Sequence, residues 1–299
     1  MAHKFLSWIQ AFFYAHVTIY WRAWKFSKMI NICSVDETLD YIVKNRVSTS
    51  RYGDGEIEVM DGGKMGFQDS NPLLAKRLRE VIMSNMNNHI VCLPYAWKNK
   101  NGLQKSNQMF WRWFVANKFN LLKTIVKKNR MYLDTNYTRI YMDSTPQIKR
   151  SKYMKDYWNI FRLQWQDRDV LMVEGESTRF GVDNDFLANA RSIHRILCPS
   201  KNAFDKYDEI LSTVLNNSNN NTLILCALGM TATVLTYDLA REGREALDIG
   251  HADIEYEWFK KGVDKKIPIA GKNVNELGIL NPKADYNEDY ESEIIARIM

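Results

Sequence analysis

The 299-residue sequence lacks the features that mark several common classes of protein. Its four cysteines never form a close pair, which excludes a zinc ribbon and the disulfide framework of a small secreted domain. No run approaches the ~18 to 20 consecutive apolar residues of a membrane-spanning helix. No block of lysine and arginine resembles a nucleic-acid-binding tail, so nucleic acid is not an expected partner. Cys92, Cys198 and Cys226 lie in apolar runs and are expected to be buried, reduced thiols of a cytoplasmic protein.

The composition that is present belongs to an ordinary globular protein. Hydrophobic residues make up 45% and charged residues 25% of the chain, which argues against disorder. The length suffices for one large or two modest domains with a well-buried core. A formal net charge of +6 fits an anionic substrate, a membrane surface or nucleic acid, and does not choose among them.

The most informative short segment runs from Ser50 to Ile57. In it two carboxylates, Asp54 and Glu56, lie two residues apart among glycines and follow Arg51. On an extended segment both carboxylates would point the same way, and Gly53 would permit tight backbone geometry near a phosphate. Hard oxygen ligands of this kind suit Mg²⁺ or Mn²⁺. A simple turn uses the same residue types, and spacing alone does not separate the two interpretations.

Residues 1–30 form a distinct segment that is rich in aromatic residues and flanked or interrupted by Lys4, Arg22, Lys25 and Lys28. It lacks the cleavage site of a signal peptide, and its period fits one or two helices. Such a helix could lie in a membrane interface. Alternatively, its aromatic residues pack on the domain or on a second subunit, which leaves a homo-oligomer open.

From residue 35 the pattern changes to one of alternating helices and strands. Ser34 is expected to cap a helix that runs to about Lys44. Strands are predicted at Val47–Tyr52 and Tyr137–Met142, and Trp97–Lys128 is predicted to be helical.

The second half alternates short apolar runs with helical segments. The runs are Val170–Val173, Ile193–Cys198 and Leu223–Leu228. This alternation is typical of a parallel sheet with crossover helices, and therefore of an α/β fold. Because ligands bind beyond the carboxyl ends of the strands in such sheets, the loops that follow these runs are candidate binding sites.

All three loops contain groups suited to an anion. Each could be simple capping or turn chemistry, but three such loops on one predicted edge favour a nucleotide site, since free N–H groups and cations there can hold phosphates. The candidate binding residues in these loops are Glu176, Arg179, Lys201, Asn202, Gly229 and Thr231.

A fourth strand end is predicted at Gly250, and His251, Asp253 and Glu257 follow it closely. If the segment is helical, Asp253 and Glu257 lie on one face. These side chains suit a general base or a ligand of sugar hydroxyls, and a structural hydrogen bond is the alternative for His251.

Six separated motifs together resemble the GT-D-type glycosyltransferases, which act in bacterial adhesin and surface-polysaccharide glycosylation. They occur in collinear order within about residues 35–270. One departure is Asp183, which stands in a run where the family has glycine. The motifs are Arg51–Glu56, Gly66–Gln68, Val173–Gly181, Pro199–Phe204, Ala227–Thr233 and Gly250–Trp258.

The resemblance implies a nucleotide-sugar-dependent transferase with a Rossmann-like, mostly parallel sheet flanked by helices. Carried over by position, Asp54 and Glu56 would be the Asp-x-Glu ligands of Mn²⁺ or Mg²⁺, which neutralises charge on the leaving UDP. The expected organisation is an aromatic helical segment at 1–34, the GT-D-like domain at 35–270 and an extension at 271–299.

The expected reaction moves a hexose from a nucleotide sugar, UDP-linked by this interpretation, to a glycan on a lipid or protein. His251, Asp253 and Glu257 are candidate bases if the reaction inverts configuration. The alternatives are a nucleotide-sugar hydrolase or phosphotransferase, and a non-catalytic nucleotide-binding partner of another glycosyltransferase. The expected location is the cytoplasm, with peripheral contact at the inner face of the membrane through residues 1–30.

Overall fold

One nine-stranded sheet organises residues 16–279 and 282–299, which the computed structural model describes. Every pairing within it is parallel, so the predicted α/β fold with a parallel sheet is confirmed. The strands are β1 (Asn31–Ile32), β2 (Ser48–Arg51), β3 (His89–Leu93), β4 (Met131–Asp134), β5 (Asp169–Gly175), β6 (Ser192–Cys198), β7 (Leu223–Ala227), β8 (Glu245–Asp248) and β9 (Ile294–Arg297). Their order across the sheet is β1-β4-β3-β2-β8-β7-β5-β6-β9.

Helices cover both faces of this sheet. They are α1 (16–27), α2 (Val35–Asn45), α3 (Asp54–Met60), α4 (Pro72–Met83), α5 (Lys105–Asn117), α6 (Phe119–Ile125), α7 (Ile140–Asp143), α8 (Pro146–Lys149), α9 (Lys152–Arg162), α10 (Tyr207–Asn216), α11 (Met230–Arg241), α12 (Ala252–Lys261) and α13 (Glu288–Glu293). Helices α2, α9 and α12 pack on one face, and α1, α4, α5, α6, α10 and α11 on the other.

The sheet is buried on both sides because its side chains alternate between two apolar layers. In β3, Val91 and Leu93 join one hydrophobic cluster and Cys92 joins the other. Cys92, Cys198 and Cys226 are buried and free, which confirms the expectation of buried, unpaired thiols.

The helix start at Ser34 follows its sequence signal. The Ser34 hydroxyl accepts from the N–H of Glu37, and the Glu37 carboxylate accepts from the N–H of Ser34 at 2.7 Å. This capping box satisfies two N–H groups that would otherwise lack partners. The predicted strand at Val47–Tyr52 is likewise confirmed as β2.

The predicted strand at Tyr137–Met142 is wrong, because that segment is a 3₁₀ turn followed by α7. The strand lies six residues earlier, as β4, where pairing with β3 buries a segment too short to show a clear period. At its end Asp134 accepts from the N–H of Asn136 at 2.9 Å, which starts the turn.

The helical prediction for Trp97–Lys128 is confirmed for most of the segment, which contains two helices and not one continuous helix. Helix α5 begins only at Lys105, after a turn in which Gly102 has a φ of +83°, and the chain breaks again before α6. The aromatic periodicity of this region reflects two shorter helices that pack on the same face of the sheet.

Helix α1 packs on the domain mainly through one side. Ala23 and Phe26 are buried, and the ring of Phe26 meets the edge of Trp97 with centroids 5.9 Å apart. Val17, Tyr20, Trp21 and Trp24 are exposed on α1. The part of the predicted aromatic helical segment before residue 16 lies outside the described residues. No helix in the described part of the chain is both long and apolar enough to cross a bilayer.

The strand order creates a crevice between β2 and β8. From β2 the chain continues to β3 on one side, whereas after β8 it returns to β9 on the other side. Connections that diverge in this way leave room for a ligand at the carboxyl ends of the two strands.

Candidate active site

A cleft of about 550 Å³ opens at the carboxyl edge of the sheet, within the usual size range of ligand sites. Residues that follow β2, β4, β5, β6, β7 and β8 line it, together with the first turn of α3 and part of α5. Residues 266–278, termed here the C-terminal strap, form another wall. Sequence-predicted residues that line the cleft are Arg51, Gly53, Asp54, Glu56, Gly229, His251 and Asp253.

The carboxylate pair lies at a helix start and not on an extended segment, so that part of the prediction is wrong. Asp54 is the first residue of α3 and Glu56 the third, and residues two apart on a helix point roughly 200° apart. The Glu56 carboxylate accepts from the N–H of Gly53 at 2.7 Å, a hydrogen bond that closes the first turn. Burial raises the pKa of Glu56 to about 7, and Asp54 is exposed.

Both carboxylates nevertheless line the cleft, because the hydrogen bond to Gly53 turns the Glu56 side chain back towards the start of α3. This donor set fits a divalent ion that takes most of its ligands from water and substrate. Mg²⁺ is commonly bound by one or two carboxylates together with substrate phosphates. The described residues contain no group of three or more His, Cys, Asp and Glu side chains placed to hold a metal by themselves. Two cleft carboxylates therefore match a substrate-completed site and not a closed structural one.

Arg51 joins the ends of three strands. Its Nε donates to the carbonyl of Thr135 at 3.1 Å, and its Nη1 lies 3.5 Å from Oδ1 of Asp248. Gly250, with a φ of +46°, permits this approach, because a Cβ there would lie 2.0 Å from Nη1. The guanidinium is thereby held at the centre of the cleft.

The glycine turn predicted after β7 is present. Gly229 has a φ of +53°, and a Cβ on it would lie 2.6 Å from the ring of Phe67. Among the residues that the structure describes, no side chain caps the helix α11 that follows, so its first N–H groups remain at the cleft. Thr231 is buried behind this turn, and its hydroxyl has no hydrogen-bond partner among the described residues.

The other predicted loop residues lie away from the cleft. Glu176 and Lys201 are exposed. Asn202 binds Asp69, donating through Nδ2 to its carboxylate at 2.9 Å and accepting from its N–H at 2.8 Å. Its role in the structure is therefore to hold the loop that contains Gly66–Gln68. The cleft walls after β5 and β6 are formed instead by Gly175, Thr178, Pro199 and Ser200.

Arg179 also points elsewhere, towards the C-terminal segment. Its guanidinium lies over the ring of Tyr290 at 4.8 Å and donates to the carbonyl of Asp285 at 3.3 Å. Asp183, the departure from the family pattern, is largely exposed and accepts from Asn287 at 3.1 Å. Both residues thus attach the C-terminal segment.

Two of the three candidate bases belong to a buried ionic network. The Lys272 ammonium lies 2.7 Å from Oδ2 of Asp253 and 3.6 Å from Oε1 of Glu257. The Asn184 amide donates to both carboxylates, at 2.8 and 2.7 Å. Helix α12 does place Asp253 and Glu257 on one face, as predicted, but their oxygens are occupied by structural contacts.

His251 is differently placed. Its Nδ1 lies 3.2 Å from Oε1 of Glu276, and its Nε2 lies 3.2 Å from Nδ2 of Asn275. Arg139 reaches the same Oε1 of Glu276 at 3.1 Å. Although burial acts to raise the pKa of Glu276, His251 and Arg139 lower it well below its ordinary value. An ionised carboxylate therefore orients an imidazole that faces the cleft.

The sequence patterns did not predict several of the residues that line the cleft. Those after β4 were missed because the strand was placed too late, although the polar residues directly after the apolar Met131–Leu133 were a usable signal. Those of the C-terminal strap follow no strand. The missed residues that matter below are Asn107, Phe110, Thr135, Arg139, Asp143, Asn275 and Glu276.

A parallel sheet covered by helices, with a polar cleft at its carboxyl edge, is the arrangement of α/β proteins whose ligand sites lie at a switch point between strands. Residues 49–277 match the family described as glycosyltransferase GT-D fold. The chain belongs to this glycosyltransferase family, and the resemblance seen in the motifs is confirmed.

Two curated relatives support this assignment. The chain is 36% identical over 274 residues to the probable glycosyl transferase Gly of Streptococcus gordonii. It is 34% identical over 274 residues to the glycosyltransferase GlyD of Streptococcus pneumoniae serotype 4. Each alignment covers 91% of this chain but only 39% and 33% of the respective relative, so the chain spans well under half of their length.

Solved structures agree along the whole fold. A domain of unknown function 1792, described as having a distinct glycosyltransferase fold, superposes with a TM-score of 0.87 at 35% identity and covers 93% of this chain and 99% of its own. A new glycosyltransferase of the same domain type from Streptococcus sanguinis gives a TM-score of 0.85 at 36% identity, covering 90% of this chain and 100% of its own.

Proposed function

We propose that this protein transfers a hexose from a UDP-linked sugar to a glycan acceptor on a lipid or protein, with Mn²⁺ or Mg²⁺ as cofactor. The main support is that three kinds of group face the same cleft. The Asp54–Glu56 pair, the Arg51 guanidinium and the uncapped start of α11 at Gly229 all face one cleft. Carboxylates for a cation, beside cationic and N–H donors for phosphates, form the combination that a metal-bound diphosphate requires.

The donor diphosphate is assigned to the centre of the cleft, within reach of Arg51 and the first N–H groups of α11. A divalent ion on Asp54 and Glu56, when bound, supplies neutralisation of the charge that develops on the leaving UDP. Arg51 adds a fixed positive charge whose orientation is set by Thr135 and Asp248.

His251 is the acceptor-activating base in this proposal, if the reaction inverts configuration. The acceptor oxygen forms a bond to the anomeric carbon, the bond from that carbon to the diphosphate oxygen breaks, and the acceptor proton passes to His251. Glu276 orients the ring through Nδ1, which leaves Nε2 as the accepting atom. The contact between Nε2 and Asn275 must open when the acceptor binds.

Two alternatives use the same cleft. A nucleotide-sugar hydrolase or phosphotransferase would turn over the donor without a glycan acceptor. A non-catalytic binding partner of another glycosyltransferase would bind nucleotide without turnover. The short coverage of the curated relatives leaves room for the second alternative, because most of each relative lies outside the match.

The test is Asp54→Asn with Glu58→Gln as its matched control. Glu58 lies on the same helix but pairs with Lys118 at 2.8 Å, outside the cleft. We expect Asp54→Asn to weaken Mn²⁺-dependent UDP binding about 10- to 100-fold, the loss typical for groups that support a metal site. Isothermal titration with UDP, with and without Mn²⁺, measures this, and Glu58→Gln should bind like the wild type.

A second assay separates the classes of reaction. Donor turnover is followed for a panel of nucleotide sugars in the presence and absence of acceptor glycans. Full-rate turnover without acceptor would establish a hydrolase, and metal-independent UDP binding would refute the metal assignment.

We also propose that the exposed side of α1 contacts the anionic inner face of the membrane, as suits a lipid-linked acceptor. Tyr20, Trp21 and Trp24 are exposed there, and Lys25 lies over the Trp21 ring at 4.6 Å. Exposed tryptophan and tyrosine beside basic residues are typical of an interfacial helix. A second copy of this chain is the competing occupant of that face.

A further inference from the structure

The strand order makes the cleft longer than a donor diphosphate requires. From the end of β4 to the end of β6 there are six inter-strand steps. At about 4.8 Å each, they span roughly 29 Å. The uncapped start of α11 and the turns after β5 and β6 lie towards one end, and Arg51, Asp54 and His251 lie centrally. The end formed by β4 and α5 is not used by the proposed donor site.

That end presents an aromatic ring to the cleft. Phe110 of α5 lines the cleft and is 41% exposed. Its ring packs edge-on with Trp111, with centroids 5.0 Å apart, and tilted against Phe114 at 6.0 Å. Phe110 is thus packed against two neighbouring rings while part of it stays exposed, and an exposed aromatic ring suits the apolar face of a pyranose.

Polar groups of the kind that hold sugar hydroxyls line the same cleft. Asn107, one turn earlier on α5, donates to Asp143 at 3.0 Å, and both line the cleft. Amide and carboxylate groups of this type bind hydroxyls as donors and acceptors. Arg139, also on the cleft wall, is linked through Glu276 to His251.

An unsatisfied buried hydroxyl points independently to a ligand. Thr135 is only 4% exposed and lines the cleft, yet its Oγ1 has no hydrogen-bond partner among the described residues. A buried polar group without a partner lowers stability, and a bound molecule or water that hydrogen-bonds to it removes that cost.

We infer that Phe110, Asn107, Asp143 and Thr135 form a subsite for the acceptor sugar. A pyranose stacks on Phe110 and directs its hydroxyls to the polar groups, which places the acceptor between the aromatic ring and His251. This inference rests on the proposed transferase function and names where the acceptor binds.

The test compares Phe110→Ala with Trp113→Ala. Trp113 lies on the same helix and is 54% exposed, but it does not line the cleft. The probes are methyl glycosides of glucose, galactose and N-acetylglucosamine, whose binding is followed by saturation-transfer NMR with UDP and Mn²⁺ present. We expect Phe110→Ala to weaken the best-binding glycoside about tenfold, as for loss of one stacking contact. Trp113→Ala should bind like the wild type.

Thr135→Val adds a readout that a structural role would not produce. Because its hydroxyl has no partner, replacing it by an isosteric methyl should leave the melting temperature unchanged or raised. Glycoside binding should nevertheless weaken, while UDP affinity stays constant.

Three results would decide against parts of this picture. Unchanged glycoside binding in both Phe110→Ala and Thr135→Val would overturn the subsite. Weaker UDP binding in Phe110→Ala would overturn it as well, because the ring would then stack the nucleobase. Glycoside binding by a wild-type protein that does not bind UDP would support the subsite but overturn the proposed donor.

Discussion

The surroundings of two carboxylates near the cleft shift their pKa values in opposite directions. Glu276 is paired with His251 and Arg139 and keeps its charge. Asp134 is buried at the end of β4 and accepts from the N–H groups of Tyr95 and Asn136, at 3.0 and 2.9 Å. Burial outweighs these hydrogen bonds and raises its pKa to about 7. Asp134 should therefore titrate near neutral pH, unlike the carboxylate that orients His251.

Asp134→Asn should make stability less dependent on pH. The pKa of Asp134 rises from an ordinary 3.8 to about 7 in the folded protein, so between these values the folded state holds a proton that the unfolded state has lost. Stability contributed by that proton is lost as pH rises through this window, by up to about 1.4 kcal/mol per pH unit. Asparagine keeps an oxygen that can accept both N–H groups. Urea unfolding at pH 5 and pH 8 measures the difference.

The expected outcome is a smaller decrease in the free energy of unfolding for Asp134→Asn than for the wild type. Asp208→Asn, at an exposed position on α10, is the control and should follow the wild type. An equal decrease in all three proteins would show that Asp134 does not titrate in this range.

Among the elements, α12 and the C-terminal strap together form one wall of the cleft. Their connection is the buried ammonium of Lys272, which lies between two α12 carboxylates. The strap supplies Asn275 and Glu276, the two partners of His251. The geometry of the proposed base therefore depends on the salt bridge between Asp253 and Lys272, which are 19 positions apart in the chain. No pattern within one segment predicts such a contact.

Lys272→Met should destabilise the protein strongly. It removes the buried ammonium that Asp253 and Glu257 share, and removing one member of a buried ion pair typically costs about 3 to 5 kcal/mol. Lys261→Met is the matched control, because Lys261 also pairs with Glu257 but is half exposed, and should cost less than about 1 kcal/mol. Urea denaturation gives both values. Equal costs for the two variants would mean that the buried network does not hold the strap.

At the scale of the whole molecule, the two edge strands of the sheet come from segments far apart in the sequence. Residues 31–32 form the edge strand β1, and residues 294–297 form β9 at the opposite edge. Both segments lie outside the predicted domain of residues 35–270, yet they form the two edge strands of the sheet. Helix α1, which precedes β1, exposes the aromatic side chains Tyr20, Trp21 and Trp24 at the protein surface. The protein has a formal net charge of +6, which favours an anionic surface as partner.

Flotation with liposomes tests the membrane contact. The full-length protein should float with vesicles containing anionic phosphatidylglycerol and not with purely zwitterionic ones. Substituting Tyr20 and Trp24 by alanine should abolish flotation while leaving Phe26 in the core. Tyr286→Ala, an exposed aromatic position elsewhere, should float normally. If light scattering instead reveals a dimer that the α1 substitutions dissociate, the face is a subunit interface.

Local signals were enough to predict much of this protein. The capping box at Ser34 and Glu37, the apolar runs of β5, β6 and β7 and the glycine turn at Gly229 depend on neighbouring residues and on burial of continuous segments. They determined the α/β class, the parallel sheet and the edge at which the cleft opens. The motif order determined the family.

Tertiary structure alone decided which side chains meet in the cleft. Asp253 and Glu257 are engaged by Lys272 and Asn184, and His251 by Glu276, through contacts between segments distant in sequence. Arg179 likewise contacts the ring of Tyr290 and does not line the cleft. Side-chain direction and pairing depend on which strands become neighbours, and a pattern within one segment carries no information about that order. The sequence could thus locate the edge that carries the cleft, whereas the contacts of its residues followed only from the assembled sheet.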